Sequence, residues 1–348
     1  MDAGSLGNVG EGSAARNDQG SPAAAVFFLG GTISMAGHDG GAVTRLGADE
    51  LIASVPALGE LGVQLRPNDF RRLPSACLRF ADILELLEAA EQAVHDGADG
   101  VVVVQGTDTI EETAYLADLL WPHEAPFVVT GAMRNPRLAG ADGPANLLAA
   151  VSVAADPRWR GWGALVVLND EVHAARFVVK RHSTSTAAFA SPDAGPLGRF
   201  AEGAAVPTVA PAPRRPLARP ASIELRVPLV TIAFDDDGLL LTDLDQRADG
   251  LVIAGFGVGH VPDRLAGRLG DLAARLPVVL ASRTGAGPVL TRTYGFAGSE
   301  TDLIARGLVP AGMLQPTKAR ILLAVLLARG ADRAAIAEEF GARSGQLT

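Results

Sequence analysis

The sequence predicts an α/β protein: a doubly wound parallel sheet in a larger amino-terminal domain, followed by a second, smaller α/β domain. Three observations carry this. Short apolar runs without polar alternation, at residues 26–29, 101–104, 127–130 and 164–168, have the pattern of strands buried on both faces. Longer runs of helical period lie between them, and strand–helix–strand alternation calls for a parallel sheet with helices on both sides. Five prolines then crowd into residues 207–220, too many for a helix or a central strand, and divide the chain. The 348 residues, 48% of them apolar, suit about two domains with a sizeable core.

Residues 1–23 are mostly Gly, Ala, Ser and polar groups. With no basic start and no continuous apolar segment, they read as a disordered tail rather than a secretory signal. Residues 24–206 form the expected catalytic domain, with helices at 80–94, 110–120 and 145–155 between its strands. The proline-rich stretch 207–221 is the expected linker. Residues 222–348 form the second domain, with strands at 230–233, 251–254 and 278–281 and a late helix at 317–329. No internal repeat is present.

Composition removes several function classes. The net charge is −9, from 30 basic and 39 acidic residues, whereas a nucleic-acid partner needs a basic face. The single cysteine, Cys77, rules out an internal disulfide and a multi-cysteine metal site, and fits a reducing, cytoplasmic compartment. The apolar run at 321–328 is far short of a membrane span. Neither lysine follows a glycine, as a P-loop requires. No serine stands in a Gly-x-Ser-x-Gly elbow, and the six histidines are scattered. His173 and His182 therefore read as satisfied or exposed side chains. The turn Gly255-Phe-Gly-Val-Gly259 follows a strand, but His260 stands where a dinucleotide fingerprint needs its last glycine, so a tight turn explains it as well. No metal or cofactor is expected.

Three segments point to chemistry. Phe28-Leu-Gly-Gly-Thr-Ile-Ser34 comes straight off the first strand, and its glycine pair turns the chain at the sheet's carboxyl edge, presenting Thr32. The plainer alternative is a simple strand-to-loop turn. Gln105-Gly-Thr-Asp-Thr-Ile-Glu-Glu112 leaves the next buried strand with Thr107 and Asp108 at a helix start, where N–H groups and the dipole favour an anion. Here the alternative is an ordinary N-cap. The third segment holds Lys180 in an apolar stretch. Only two of the 30 basic residues are lysine, Lys180 and Lys318. Arginine does not lose its proton, whereas a desolvated lysine can act as a base; a lysine kept by chance is the alternative. Together, a carboxylate that orients a lysine and a lysine that deprotonates a hydroxyl would make a relay of Asp108, Lys180 and Thr107.

These residues bring the sequence to a family. It resembles the bacterial-type L-asparaginases, including those with glutaminase activity, from about residue 24 to 341. The likeness lies in Gly30-Gly-Thr-Ile33, Gly106-Thr-Asp-Thr109 with Glu-Glu-Thr-Ala114, Thr130-Gly-Ala-Met-Arg134, and Ala141-Asp-Gly-Pro144 with Asn146. It continues through Leu168-Asn-Asp170, Ala175-Arg-Phe-Val-Val-Lys180, Ser191-Pro192, Gly195-Pro-Leu-Gly198 and Lys318-Ala-Arg320. The resemblance implies hydrolysis of L-asparagine to L-aspartate and ammonia through an acyl-threonine. By position, Thr32 is the attacking hydroxyl, and Thr107, Asp108 and Lys180 are the second catalytic group. Backbone N–H groups of Thr107 and Ala132 form the oxyanion hole, Ser75 binds the α-carboxylate, and Asp108 also receives the α-ammonium. The resemblance further implies homotetramers built from close dimers.

The chain departs from the family pattern at Leu29 and Gln105, which replace a threonine and a histidine, and at Val258, which replaces an asparagine. The loop at 35–46 has no tyrosine, leaving Tyr294 as the remaining candidate, since Tyr115 falls within a helix. Two other functions stay open at this point: a glutaminase-asparaginase or related amidohydrolase, and a catalytically silent amino-acid sensor.

Overall fold

The computed structural model describes residues 20–31 and 47–343, and the backbone of 35–36 and 43–44. The first half runs β1 (Ala23–Phe28), β2 (Met35–Ala36), β3 (Val43–Thr44), α1 (Ala48–Ala53), β4 (Gln64–Asp69), α2 (Phe80–His95), β5 (Gly100–Val104) and α3 (Ile110–Leu120). It continues through β6 (Phe127–Thr130), α4 (Gly143–Ala155), β7 (Ala164–Leu168), β8 (Glu171–Ala174), β9 (Val179–Lys180), β10 (Phe189–Ala190), β11 (Gly198–Ala201) and β12 (Ala204–Pro207). The second half contains β13 (Leu229–Thr231), β14 (Leu251–Gly255), α5 (Asp263–Arg275), β15 (Val278–Ser282), α6 (Glu300–Ala305), β16 (Val309–Pro310), α7 (Pro316–Ala328) and α8 (Arg333–Arg343).

The larger sheet has the order β12-β11-β8-β7-β6-β5-β1-β4. Its five strands from β7 to β4 are parallel. The apolar runs of β1, β5, β6 and β7 are buried throughout, because helices cover both faces. Alternate residues such as Phe27, Val103 and Val129 face α2 and α3, and Val26, Val102 and Val128 face α4. The smaller sheet, β13-β14-β15-β16, is parallel.

The structure departs from the sequence expectation at the edges of the larger sheet. β4, with sequence QLRPND, is polar and interrupted by Pro67, which an edge strand tolerates. At the other edge β8, β11 and β12 add antiparallel, so the sheet is mixed rather than purely parallel. The β7–β8 connection is a two-residue hairpin whose Asn169 and Asp170 have φ of 52° and 60°, the left-handed geometry that Asn and Asp tolerate. His173 on β8 is buried and meets Ser191 at 3.1 Å through Nδ1; burial, then Arg199 and Lys318, lowers its pKa to about 4. His182 caps a turn, accepting the N–H groups of Thr184 and Ser185.

Residues 208–228 have no regular structure, yet they are pinned to the first sheet's helices. Leu217 N–H donates to the Leu119 carbonyl at 2.7 Å, Arg214 to the Trp121 carbonyl at 2.6 Å, and Arg219 pairs with Glu91 at 2.8 Å. Helix α7 is apolar nearly all round and packs between α3 and the smaller sheet, so one hydrophobic core runs from Leu116 through Leu322 to Val279. Among the described residues no helix is long and apolar enough to cross a membrane.

Candidate active site

The site forms where loops leave the carboxyl ends of β1, β5 and β6, the edge at which open α/β sheets present ligand-binding groups. Leu29 N–H donates to the Val104 carbonyl at 2.9 Å, which ties the first loop to β5. Gly30 and Gly31 then take φ of 105° and 100°. A Cβ on Gly31 would lie 2.3 Å from the Gly106 nitrogen, and one on Gly30 2.7 Å from the Leu73 carbonyl. The glycine pair is thus what lets the two loops touch. Thr32 lies outside the described residues, one residue beyond this contact.

After β5, Gly106 leads into a 3-10 turn at Thr107–Thr109 and then α3. A side chain on Gly106 would strike Ser75 Oγ at 2.6 Å. Ser75 is buried; its Oγ accepts the Asp108 N–H at 3.3 Å and its carbonyl accepts the Thr109 hydroxyl at 3.2 Å. Neither Gly106 nor Thr109 caps its helix through a side chain, so the N-cap explanation for this threonine and aspartate fails. Their side chains turn to Lys180 instead.

Lys180, in the two-residue strand β9, donates from Nζ to Thr107 Oγ1 at 2.9 Å and to Asp108 Oδ1 at 2.8 Å. The ammonium therefore bridges hydroxyl and carboxylate, with the lysine side chain 17% and the aspartate 67% exposed. The carboxylate opens to solvent while the lysine is screened, an arrangement that orients an amine toward one hydroxyl.

The loop after β6 supplies the third wall. A Cβ on Gly131 would meet the Gln105 carbonyl at 2.4 Å and the Thr107 methyl at 3.4 Å, so Gly131, with Ala132 next in the chain, packs against Thr107. Asp142, just before α4, accepts the N–H groups of Met133 and Arg134 at 2.9 and 2.8 Å, and Asn146 donates to the Gly131 carbonyl at 2.9 Å. The N–H groups of Thr107 and Ala132 have no hydrogen-bond partner among the described residues. Two unpaired donors held by a fixed backbone can take a developing oxyanion without reorganising.

The structure thus brings together Ser75, Thr107, Asp108, Ala132 and Lys180. Tyr115 is buried in α3, where burial pushes its hydroxyl well above its ordinary pKa. Tyr294 is partly exposed in the second domain, its ring 4.9 Å from that of His260, without a described contact to Thr107, Asp108 or Lys180. Glu111 had no role in the sequence reading, yet its Oε2 accepts the Lys180 N–H at 2.7 Å. Its signal was the Glu111-Glu112 pair in the first turn of α3, one carboxylate more than a helix start requires. Among the described residues no three His, Cys, Asp or Glu side chains gather as a metal site would require.

Comparison with known proteins gives the family. The chain matches the family described as Asparaginase, N-terminal over residues 24–211, and the Glutaminase/Asparaginase C-terminal domain over 226–340. A probable L-asparaginase of Deinococcus radiodurans is 40% identical over 325 residues, covering 92% of this chain and 97% of that protein. A glutaminase-asparaginase of Pseudomonas aeruginosa is 33% identical, covering 88% of this chain and 86% of its own. The crystal structure of a probable cytoplasmic L-asparaginase from Campylobacter jejuni superposes with a TM-score of 0.82 at 30% identity, over 92% of this chain and 99% of that one. On sequence and fold alike, the chain belongs to the bacterial asparaginase family.

Proposed function

We propose that this protein is an L-asparaginase, hydrolysing L-asparagine to L-aspartate and ammonia through an acyl-threonine intermediate. The observation that carries the reading is the Lys180 ammonium bridging Thr107 and Asp108, together with the N–H groups of Thr107 and Ala132, which have no partner among the described residues. In this reading the Thr32 hydroxyl attacks the side-chain amide carbon, and those two N–H groups hold the oxygen that becomes negative. The amide nitrogen takes up a proton and leaves as ammonia. With Lys180 acting as the neutral amine, water then gives up a proton through the Asp108–Lys180–Thr107 relay and cleaves the ester, and the proton returns to the departing Thr32 oxygen. Ser75 holds the α-carboxylate and Asp108 the α-ammonium.

The same reading assigns catalysis to residues 24–206, linkage to 207–221 and a second domain to 222–348. It includes cytoplasmic action and assembly as homotetramers of close dimers. Light scattering of the purified chain tests the assembly; a monomer at micromolar concentration would remove it.

Ammonia release from asparagine tests the activity, and a chain that binds aspartate without releasing ammonia would instead be a sensor. Lys180→Arg keeps charge and bulk but no longer gives up a proton, so kcat should fall by about 10²–10⁴. An arginine variant of normal rate would make Lys180 a counter-ion for Asp108. Thr32→Ala should abolish turnover while aspartate still binds; retention of a tenth of the activity would remove Thr32 as nucleophile. The Pseudomonas relative keeps a second reading in view, a glutaminase-asparaginase, which parallel assays on the two amides separate.

A further inference from the structure

The two lysines of this arginine-rich chain meet at one place. We propose that Lys318, with Glu111, is a positioning residue that holds the strand of Lys180 from the start of α7. The proposal rests on the reading of Lys180 as the relay base.

Strand β9 has only two residues and pairs only with the two-residue β10, through Lys180↔Phe189 and Val179↔Ala190. A two-stranded ribbon of that length has little stability of its own, so the aim of Lys180 must be set by other contacts. Two converge from α7. The fully buried Lys318 ammonium donates to the carbonyl of Val178, the residue just before the strand. The Thr317 hydroxyl donates to Glu111 Oε1 at 3.4 Å, and Glu111 Oε2 accepts the Lys180 N–H, within the strand, at 2.7 Å. The backbone is thus gripped at 178 and at 180.

The chemistry also explains why lysine persists here. One buried carbonyl matches a compact ammonium, whereas a guanidinium would bring five donors in a rigid fork to that acceptor. The charged groups facing Lys318 are Glu111, Glu112 and Asp118 of α3, His173 of β8, and Arg320 of α7, which with Lys318 faces Glu112. Burial lowers the ammonium to about 8, against the three carboxylates that hold it up.

The test is steady-state kinetics of the full chain carrying Lys318→Met, assayed well below its melting temperature, with amide hydrogen exchange on the same sample. The substrate-holding groups Ser75 and Asp108 lie on other segments. Positioning therefore predicts a 10- to 100-fold fall in kcat, a KM within threefold of the wild type, and faster exchange at residues 178–181. A folded variant whose kcat stays within twofold overturns the proposal. Should Lys318→Met fail to fold, Glu111 carries the test: Glu111→Leu should lose at least tenfold in kcat, and Glu111→Gln, which keeps an acceptor for the Lys180 N–H, should recover to within threefold. Equal rates in those two variants overturn the proposal. Lys180→Arg is the control: if it is fully active, the relay reading falls and the positioning role with it. If it is inactive while Lys318→Met keeps its kcat, the positioning role alone falls.

Discussion

The two parallel sheets both send glycine-rich loops out from their carboxyl edges, but they treat their polar groups differently. At the larger sheet, Gly31 and Gly131 press against the 105–106 segment, and the N–H groups of Thr107 and Ala132 have no partner among the described residues. At the smaller sheet the loop after β14 closes on itself, with Phe256 and His260 exchanging backbone hydrogen bonds at 2.8 Å in both directions. Ser282 donates to the Gly257 carbonyl, and the Arg283 guanidinium lies 4.2 Å over the Phe256 ring while donating to the Ile232 carbonyl at 2.8 Å. Glycine at a sheet edge therefore does not by itself make a site. What distinguishes the two edges is that the 256–260 turn uses its own backbone groups to hold itself closed, whereas Gly31 and Gly131 hold the 105–106 segment against two other loops.

The sharpest way to break this contrast is to add one carbon at each edge. Gly31→Ala forces a Cβ to 2.3 Å from the Gly106 nitrogen at a φ of 100°, so kcat should fall at least about 100-fold through misplacement of neighbouring groups. Gly255→Ala meets the His260 carbonyl at 2.7 Å and should cost about 1–3 kcal/mol of stability, with kcat within threefold in the folded fraction. Equal kinetic losses in the two variants would erase the distinction.

Serine provides a second pairing. Ser75→Ala removes a hydroxyl assigned to the substrate carboxylate; a hydrogen bond to a charged group is worth roughly 1.5–3 kcal/mol, so KM should rise about tenfold or more. Ser282→Ala should leave KM unchanged and lower the melting temperature slightly. A third measurement concerns the larger sheet's antiparallel margin. His173 has a folded pKa of about 4, below its ordinary 6.5, so its contribution to stability is intact above pH 6.5 and is lost as pH falls toward 4. The slope should be at most about 1.4 kcal/mol per pH unit. Urea titrations of His173→Gln should give a flatter profile; an unchanged one would remove His173 as the cause.

The smallest expected effect is on substrate choice. Ala76 follows Ser75, the serine proposed to hold the substrate carboxylate, and its methyl group offers no polar contact. Glutamine has one more torsion to fix than asparagine, so loose anchoring should penalise it more. A preference for asparagine by kcat/KM follows, and Ala76→Gln should raise glutamine turnover a few-fold. Comparable constants for both amides in the unmodified protein would contradict this.

Much of this was legible in the residues. β6, β7 and α3 coincide with the expected 127–130, 164–168 and 110–120, because each is an unbroken apolar or helical-period run. β4 escaped notice because an edge strand needs no apolar alternation, and β8 and β11 because four-residue strands carrying Glu171, His173 or Arg199 show no apolar run. β12, Ala-Ala-Val-Pro, did so because it is short and ends in Pro207, the first of the crowded prolines. The motif around Thr107, Asp108 and Lys180 was readable because its chemistry is local to two segments. The grip on Lys180 was not, because Thr317 and Glu111 are 206 residues apart and only the packing of α7 on α3 makes them neighbours.

The scarcity of lysine has a practical consequence. The whole chain holds two side-chain amines, one fully buried and the other only 17% exposed beside Thr107. Amine-directed reagents used to attach polymers, dyes or solid supports find no open lysine here. The side-chain amine within their reach is the one at the candidate site, so acylation of Lys180 and loss of turnover should rise together. Protection by aspartate would turn that liability into a labelling strategy for the site. Derivatives meant to stay active are better built through the exposed thiol of Cys77, with the nearby Ser75 kept in mind, because carboxylate coupling would also reach the exposed Asp108.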